Sequence, residues 1–233
     1  MRLSTPAVLV LLTAATLSGC STADGTAPAS GDTGPTESAT ARAQPLGEAE
    51  LRALTFHEGD LPGARRGSIP IEDRLAPGHV PSFKPASDPD CQTVQDIRYA
   101  TTAPAVVKQA INWKDDIYPG EVTLASYGDG EAERLFEKLK RAAGSCHTYQ
   151  GDGWTGAYTS TMKVQKAPEA GDEAVQLREY STVDLGRRDE LFIVVRTGSV
   201  IATYTSLDIG RTPTFPTEPI IKQAERIGDA QGK

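Results

Sequence analysis

Residues Glu121 to Cys146, EVTLASYGDGEAERLFEKLKRAAGSC, leave little freedom in how this chain can fold. They read as one buried strand, a tight turn and one amphipathic helix that ends on a cysteine. After the turn, apolar residues fall at Ala132, Leu135, Phe136, Leu139, Ala142 and Cys146. That i, i+3, i+4, i+7 rhythm gives a helix a single core-facing stripe. Asp129 is placed to cap the helix. Glu131, Glu133 and Glu137 fill its first half, and Lys138, Lys140 and Arg141 its second, an order that complements the helix dipole. Cys146 lies on the apolar stripe, so its bonding partner is pinned against this helix.

Which partner it takes depends on the start of the chain. Arg2 supplies a minimal positive charge, and Ala7 to Leu17 forms an apolar run too short to span a bilayer. The run ends in Leu17-Ser18-Gly19-Cys20, which resembles the bacterial lipobox: a leucine, two small residues and an obligatory cysteine. The resemblance implies a signal peptide over residues 1–19, diacylglyceryl transfer to the Cys20 thiol and acylation of the new amino terminus, palmitate being a typical chain. An ordinary secretory signal that happens to contain a cysteine is the alternative. Two acyl chains anchor a protein stably where one is marginal. The expected address is therefore the cell membrane, lipid-anchored on the extracytoplasmic face.

Of the three cysteines, Cys91 and Cys146 then remain in an oxidising compartment. A disulfide is the simplest outcome; two free thiols, or half a metal site, are the alternatives. A loop of this length would stabilise the fold by roughly 4 kcal/mol in the chain-entropy model.

Residues 20–45 read as a flexible tether. Ser21 to Pro45 holds no large apolar residue and cannot bury enough surface to fold. As a coil such a segment spans on the order of 25–30 Å. Residues 46–233 then form a single α+β domain. Leu46, Ala49, Leu51 and Leu54 indicate a short helix, followed by the turn-rich corner Gly59-Asp60-Leu61-Pro62-Gly63. Cys91 to Tyr99 reads as a helix capped by Asp90, with Val94 and Ile97 inward. Strands are expected at Ala105–Trp113, Glu121–Tyr127, Thr155–Gln165, Ala174–Val183, Leu191–Val195 and Val200–Leu207. Gly198-Ser199 suits a II′ hairpin turn. A last helix starts near Thr217, with Ile220, Ile221, Ala224 and Ile227 inward and Gly228 ending it. The expected architecture is an antiparallel sheet of five or six strands with packed helices, the long one pinned by a disulfide.

Charge and chemistry exclude more than they select. A net charge of −7, reaching −8 once Arg2 is cleaved away, offers no basic stripe for nucleic acid. The three histidines, His57, His79 and His147, accompany no G-x-S-x-G elbow, H-E-x-x-H or C-x-x-C. His147 follows Cys146 directly, but a catalytic pair needs a free thiolate. Adjacent Asp115 and Asp116 point to opposite sides of an extended segment, unlike a glycosidase pair. Asp88 and Asp90 miss the calcium-loop pattern, and His57, Glu58 and Asp60 read as a polar corner, with a bound cation the alternative. No catalytic residue, metal or cofactor is expected. Trp113, Tyr118, Tyr149 and Trp154 form a candidate surface for a partner or glycan, with core or edge packing the alternative, since Trp and Tyr are favoured at hot spots.

The Gly59–Gly63 corner, Cys91, the Leu124-Ala125-Ser126-Tyr127 strand, the helix ending in Cys146, the Gly171-Asp172-Glu173-Ala174 turn and the closing hairpin together resemble actinobacterial envelope lipoproteins and the PknH-type extracytoplasmic sensor domains. The likeness covers residues 46–228 and departs in having one candidate disulfide where the kinase domain is expected to have two. Size, lipobox and composition also resemble lipoproteins encoded beside streptomycete envelope-stress systems. These resemblances imply a non-enzymatic accessory negative regulator or sensor, acting in envelope-stress two-component signalling on the outer domain of a sensor kinase. A binder or carrier of lipid or cell-wall fragments is the alternative.

Overall fold

The structure is a computed structural model that describes residues 43–67, 69–72, 83–153 and 156–232. The lipobox with Cys20, the tether up to residue 42, His79 and Trp154 lie outside the described residues. Four helices are present among them: α1 (Glu48–Ala53), α2 (Pro89–Arg98), α3 (Glu131–Ser145) and α4 (Thr217–Ala230). Eight strands accompany them: β1 (Ile71–Glu72), β2 (Ala105–Ile111), β3 (Gly120–Ser126), β4 (Thr148–Gly153), β5 (Gly156–Gln165), β6 (Glu173–Val183), β7 (Gly186–Thr197) and β8 (Val200–Ile209). All pair antiparallel in one sheet of order β1-β2-β3-β8-β7-β6-β5-β4.

The α+β class is as expected, but the sheet has eight strands rather than five or six. The two additions carry weak local signals. β1 is two residues long. β4 has the sequence TYQGDG, and glycine and aspartate are depleted in strands. Gly151 is nevertheless required there. It pairs with Tyr158 across the β4–β5 ladder, and a Cβ at Gly151 would come within 2.5 Å of the Tyr158 ring.

Side-chain alternation divides the sheet between two cores. On one face, Val122, Leu124, Leu191, Ile193, Val195, Ala202 and Tyr204 pack under Leu51 of α1 and Ile220, Ala224 and Ile227 of α4. On the other, Ala125, Leu177, Phe192, Val194 and Ile201 pack under Val94 and Ile97 of α2 and Ala132, Phe136, Leu139 and Ala142 of α3. The Cys91–Cys146 disulfide, with Cα atoms 4.8 Å apart, joins α2 to the end of α3 and is fully buried.

Helix ends differ from the sequence reading in three places. Asp88 rather than Asp90 caps α2: its Oδ1 accepts from the backbone N–H groups of Asp90 and Cys91, both at 2.9 Å. Pro89, at the first helical position, has no N–H to leave unpaired. At α3 the capping position is Gly130, at φ +67°, with no side-chain cap. Asp129 therefore does not cap. Gly228 lies buried inside α4, which runs on to Ala230. The β7–β8 hairpin matches its expected turn: Gly198 has φ +59° and Ser199 a negative φ, the pattern of type II′.

Candidate functional site

The two hairpins β4–β5 and β6–β7 separate at one end of the sheet. β5 begins at Gly156 and β6 runs to Val183, yet their ladder ends at the Ser160–Ser181 pair. Beyond that pair the strands diverge, and the gap between them opens into a cleft of about 680 Å³. Gln150, Tyr158, Thr159, Thr161, Tyr180, Thr182 and Arg187 are among its lining residues, with no carboxylate among the described ones. No residue of β4 or β5 belongs to the core under α1 and α4, so that face of the two strands is open.

Beneath the fork, on the α2–α3 face, lies a buried charged network. Arg98, at the end of α2, reaches Glu179 of β6 at 3.3 Å and also pairs with Glu190 of β7. Arg188 joins Glu190 at 2.5 Å. The Tyr149 hydroxyl of β4 donates to Glu179 at 2.7 Å and receives the Gln95 amide at 2.5 Å. The Arg98 guanidinium lies 4.5 Å from the Phe192 ring centre. Arg98, Glu179 and Glu190 are each no more than about 5% exposed, so their charges must be matched within the protein. Two arginines and two glutamates balance. Burial pushes the Glu179 carboxyl up, but the charge of Arg98 and the Ser160 and Tyr149 hydroxyls outweigh it and hold the carboxyl below its usual range. Burial, then the Glu179 charge, pushes the Tyr149 phenol well up, so it stays a neutral donor. The network ties α2 to β4, β6 and β7.

A second buried pair lies on the opposite face. Arg178 meets Asp189 at 3.0 Å and donates to the Pro213 carbonyl at 3.2 Å.

The four aromatic residues singled out by sequence do not form one described cluster. Trp113 follows β2, far across the strand order from β4, and packs edge-on against Phe215 at 5.5 Å. Tyr118 is half-buried in the β2–β3 connection. Tyr149 is buried in the charged network. For Trp113 and Tyr149 packing is thus their visible role. The polar corner is also held internally: Asp60 pairs with Arg226 of α4 at 3.1 Å and accepts the His57 N–H, while Glu58 accepts from Gly67. No group of three or more metal-ligating side chains occurs among the described residues. Asp116 pairs with Arg211 and caps the Tyr118 N–H. Sequence reading missed the fork because β4 was invisible to it, and with β4 went Tyr149 as a partner of Glu179.

No described helix is long and apolar enough to cross a membrane. No protein-family model and no curated protein matches the chain. Among solved structures it is similar to the extracellular domain of PknH from Mycobacterium tuberculosis, at 16% identity and a TM-score of 0.55. That match covers 82% of this chain and 98% of that one. An uncharacterized protein of Mycobacterium smegmatis matches at 12% identity and a TM-score of 0.36, over 79% of this chain and 95% of that one.

Proposed function

We propose that this chain is a non-enzymatic lipoprotein, anchored through Cys20 outside the cell membrane. There it acts as an accessory sensor and negative regulator of envelope-stress signalling through a membrane sensor kinase. The observation that carries the reading is the fold shared with nearly the whole extracellular domain of PknH. In this sequence a domain of that fold follows a segment that resembles a lipobox. The narrower form of the reading is a lipoprotein of the CseA type. A lipid anchor raises the local concentration of the domain near a membrane partner, so a weak contact suffices.

A second reading, a binder of cell-wall fragments, draws on the cleft itself. A lipid carrier needs a dry apolar cavity. This cleft is lined by threonine, glutamine, tyrosine and arginine, which favours a polar wall fragment over a lipid.

The test is genetic. Deleting the gene should raise basal envelope-stress transcription, and a copy carrying Cys20→Ala should fail to restore it. Unchanged reporter output in the deletion strain would remove the regulator reading.

A further inference from the structure

We infer that the cleft between the two hairpins binds a sugar bearing a carboxylate, with Arg187 of its lining and Lys163 beside it receiving the acid and Tyr180 the ring. The inference rests on the sensor reading only for its biological setting; its chemistry comes from the cleft.

Lys163 of β5, Tyr180 and Thr182 of β6 and Arg187 of β7 stand on the same, open face of the sheet by strand register. The Lys163 ammonium lies 5.7 Å and the Arg187 guanidinium 5.0 Å from the centre of the Tyr180 ring. Two cations thus lie over one aromatic ring. Lys163 has no ion pair among the described residues. Arg187 has only a long one, 3.6 Å to Asp189, a carboxylate already engaged by Arg178 at 3.0 Å. The other carboxylate on this face of the outer strands, Asp152, accepts from the backbone of Lys84 and Gly153. In a chain of net charge −7, this leaves a locally cationic recess.

The rest of the lining selects a sugar over a bare anion. The side chains of Thr159, Thr161, Thr182 and Gln150 present hydroxyl and amide groups that both donate and accept. Where β5 and β6 diverge, backbone N–H and C=O groups beyond the Ser160–Ser181 pair are also released from the ladder between them. A ligand rich in hydroxyls matches such an array, and a ring with an apolar face suits Tyr180. A volume of about 680 Å³ accommodates one or two sugar units.

The experiment titrates the full-length chain in detergent with N-acetylmuramic acid and with N-acetylglucosamine, which lacks the lactyl carboxylate, following amide shifts by NMR. N-acetylmuramic acid should bind at least tenfold more tightly and lose that advantage at 0.5 M salt. Lys163→Gln with Arg187→Gln should abolish the preference while leaving the unfolding temperature unchanged. Equal binding of the two sugars, an unaltered preference in the double variant, or no binding of either would overturn the inference. Competition by inorganic phosphate as strong as by the acidic sugar would overturn the sugar assignment. A deletion strain that derepresses its reporter while the protein ignores both sugars would remove the ligand and leave the regulator reading standing. The reverse result would do the opposite.

Discussion

The two halves of the sheet are finished differently. In the half formed by β3, β8 and β7, both faces are covered: α1 and α4 lie on one and α2 and α3 on the other. β7 accordingly carries an uninterrupted buried run, Leu191 to Val195. In the half formed by β6, β5 and β4, the α2–α3 face is covered throughout, and the other face only on β6, around Ala174 and Arg178. The other face carries threonine, glutamine, lysine and tyrosine open to solvent. A sheet packed on both sides is committed to stability, whereas one packed on a single side keeps a surface for contact. The charged network and the disulfide lie on the one face that both halves bury, and they hold α2 to the half that lacks a second layer. Changes there should be costly, and changes on the open face should be nearly silent for folding.

The largest effect is expected at Arg98. Arg98→Met leaves Glu179 and Glu190 buried without their main countercharge, which should lower stability by about 3–5 kcal/mol in denaturant unfolding. Adding Glu179→Gln and Glu190→Gln should recover part of that loss. The network also has a pH signature. The folded Glu179 pKa lies below its ordinary value of 4.5, so its contribution is complete above that value and fades as pH falls through the folded one. Glu179→Gln should therefore flatten the acid limb of the stability profile. An equally steep limb in the variant would remove the network as its source.

Next comes the disulfide. Cys91→Ala and Cys146→Ala should each cost about 2–4 kcal/mol and match one another, because each opens the same 55-residue loop. A large inequality would mean that one cysteine does more than staple. The cap of α2 follows: Asp88→Ala should cost about 1 kcal/mol, while Asp90→Ala should cost little.

How much of this could be read in advance depended on range. Elements whose signal is local were legible: the apolar stripe of α3, the Gly198-Ser199 turn and the buried run in β7. The disulfide followed from counting cysteines once Cys20 was set aside as the expected lipid site. What escaped depends on partners distant in sequence. Glu179 and Glu190 read as ordinary strand acids until Arg98, more than 80 residues away, is placed beside them. β4 was hidden because its glycine answers the Tyr158 ring rather than any local preference. The aromatic residues were visible, but tryptophan and tyrosine serve packing as readily as recognition, and Trp113 and Tyr149 are packed.

The smallest expected effect bears most directly on the comparison. Thr161 lies on the open face of β5, and the next residue, Met162, is 2% exposed on the covered face. Met162→Ala should cost about 2–5 kcal/mol through lost burial and the cavity it leaves. Thr161→Ala, one position away, should stay within about 0.5 kcal/mol of the parent, since a surface substitution removes little packing. The two variants share strand, solvent distance along the chain and backbone ladder, so the contrast isolates the side of the sheet. If Thr161→Ala proved as damaging as Met162→Ala in equilibrium unfolding, the open face would have to be packed by something in the folded chain. It could not then serve as a free surface beside the cleft.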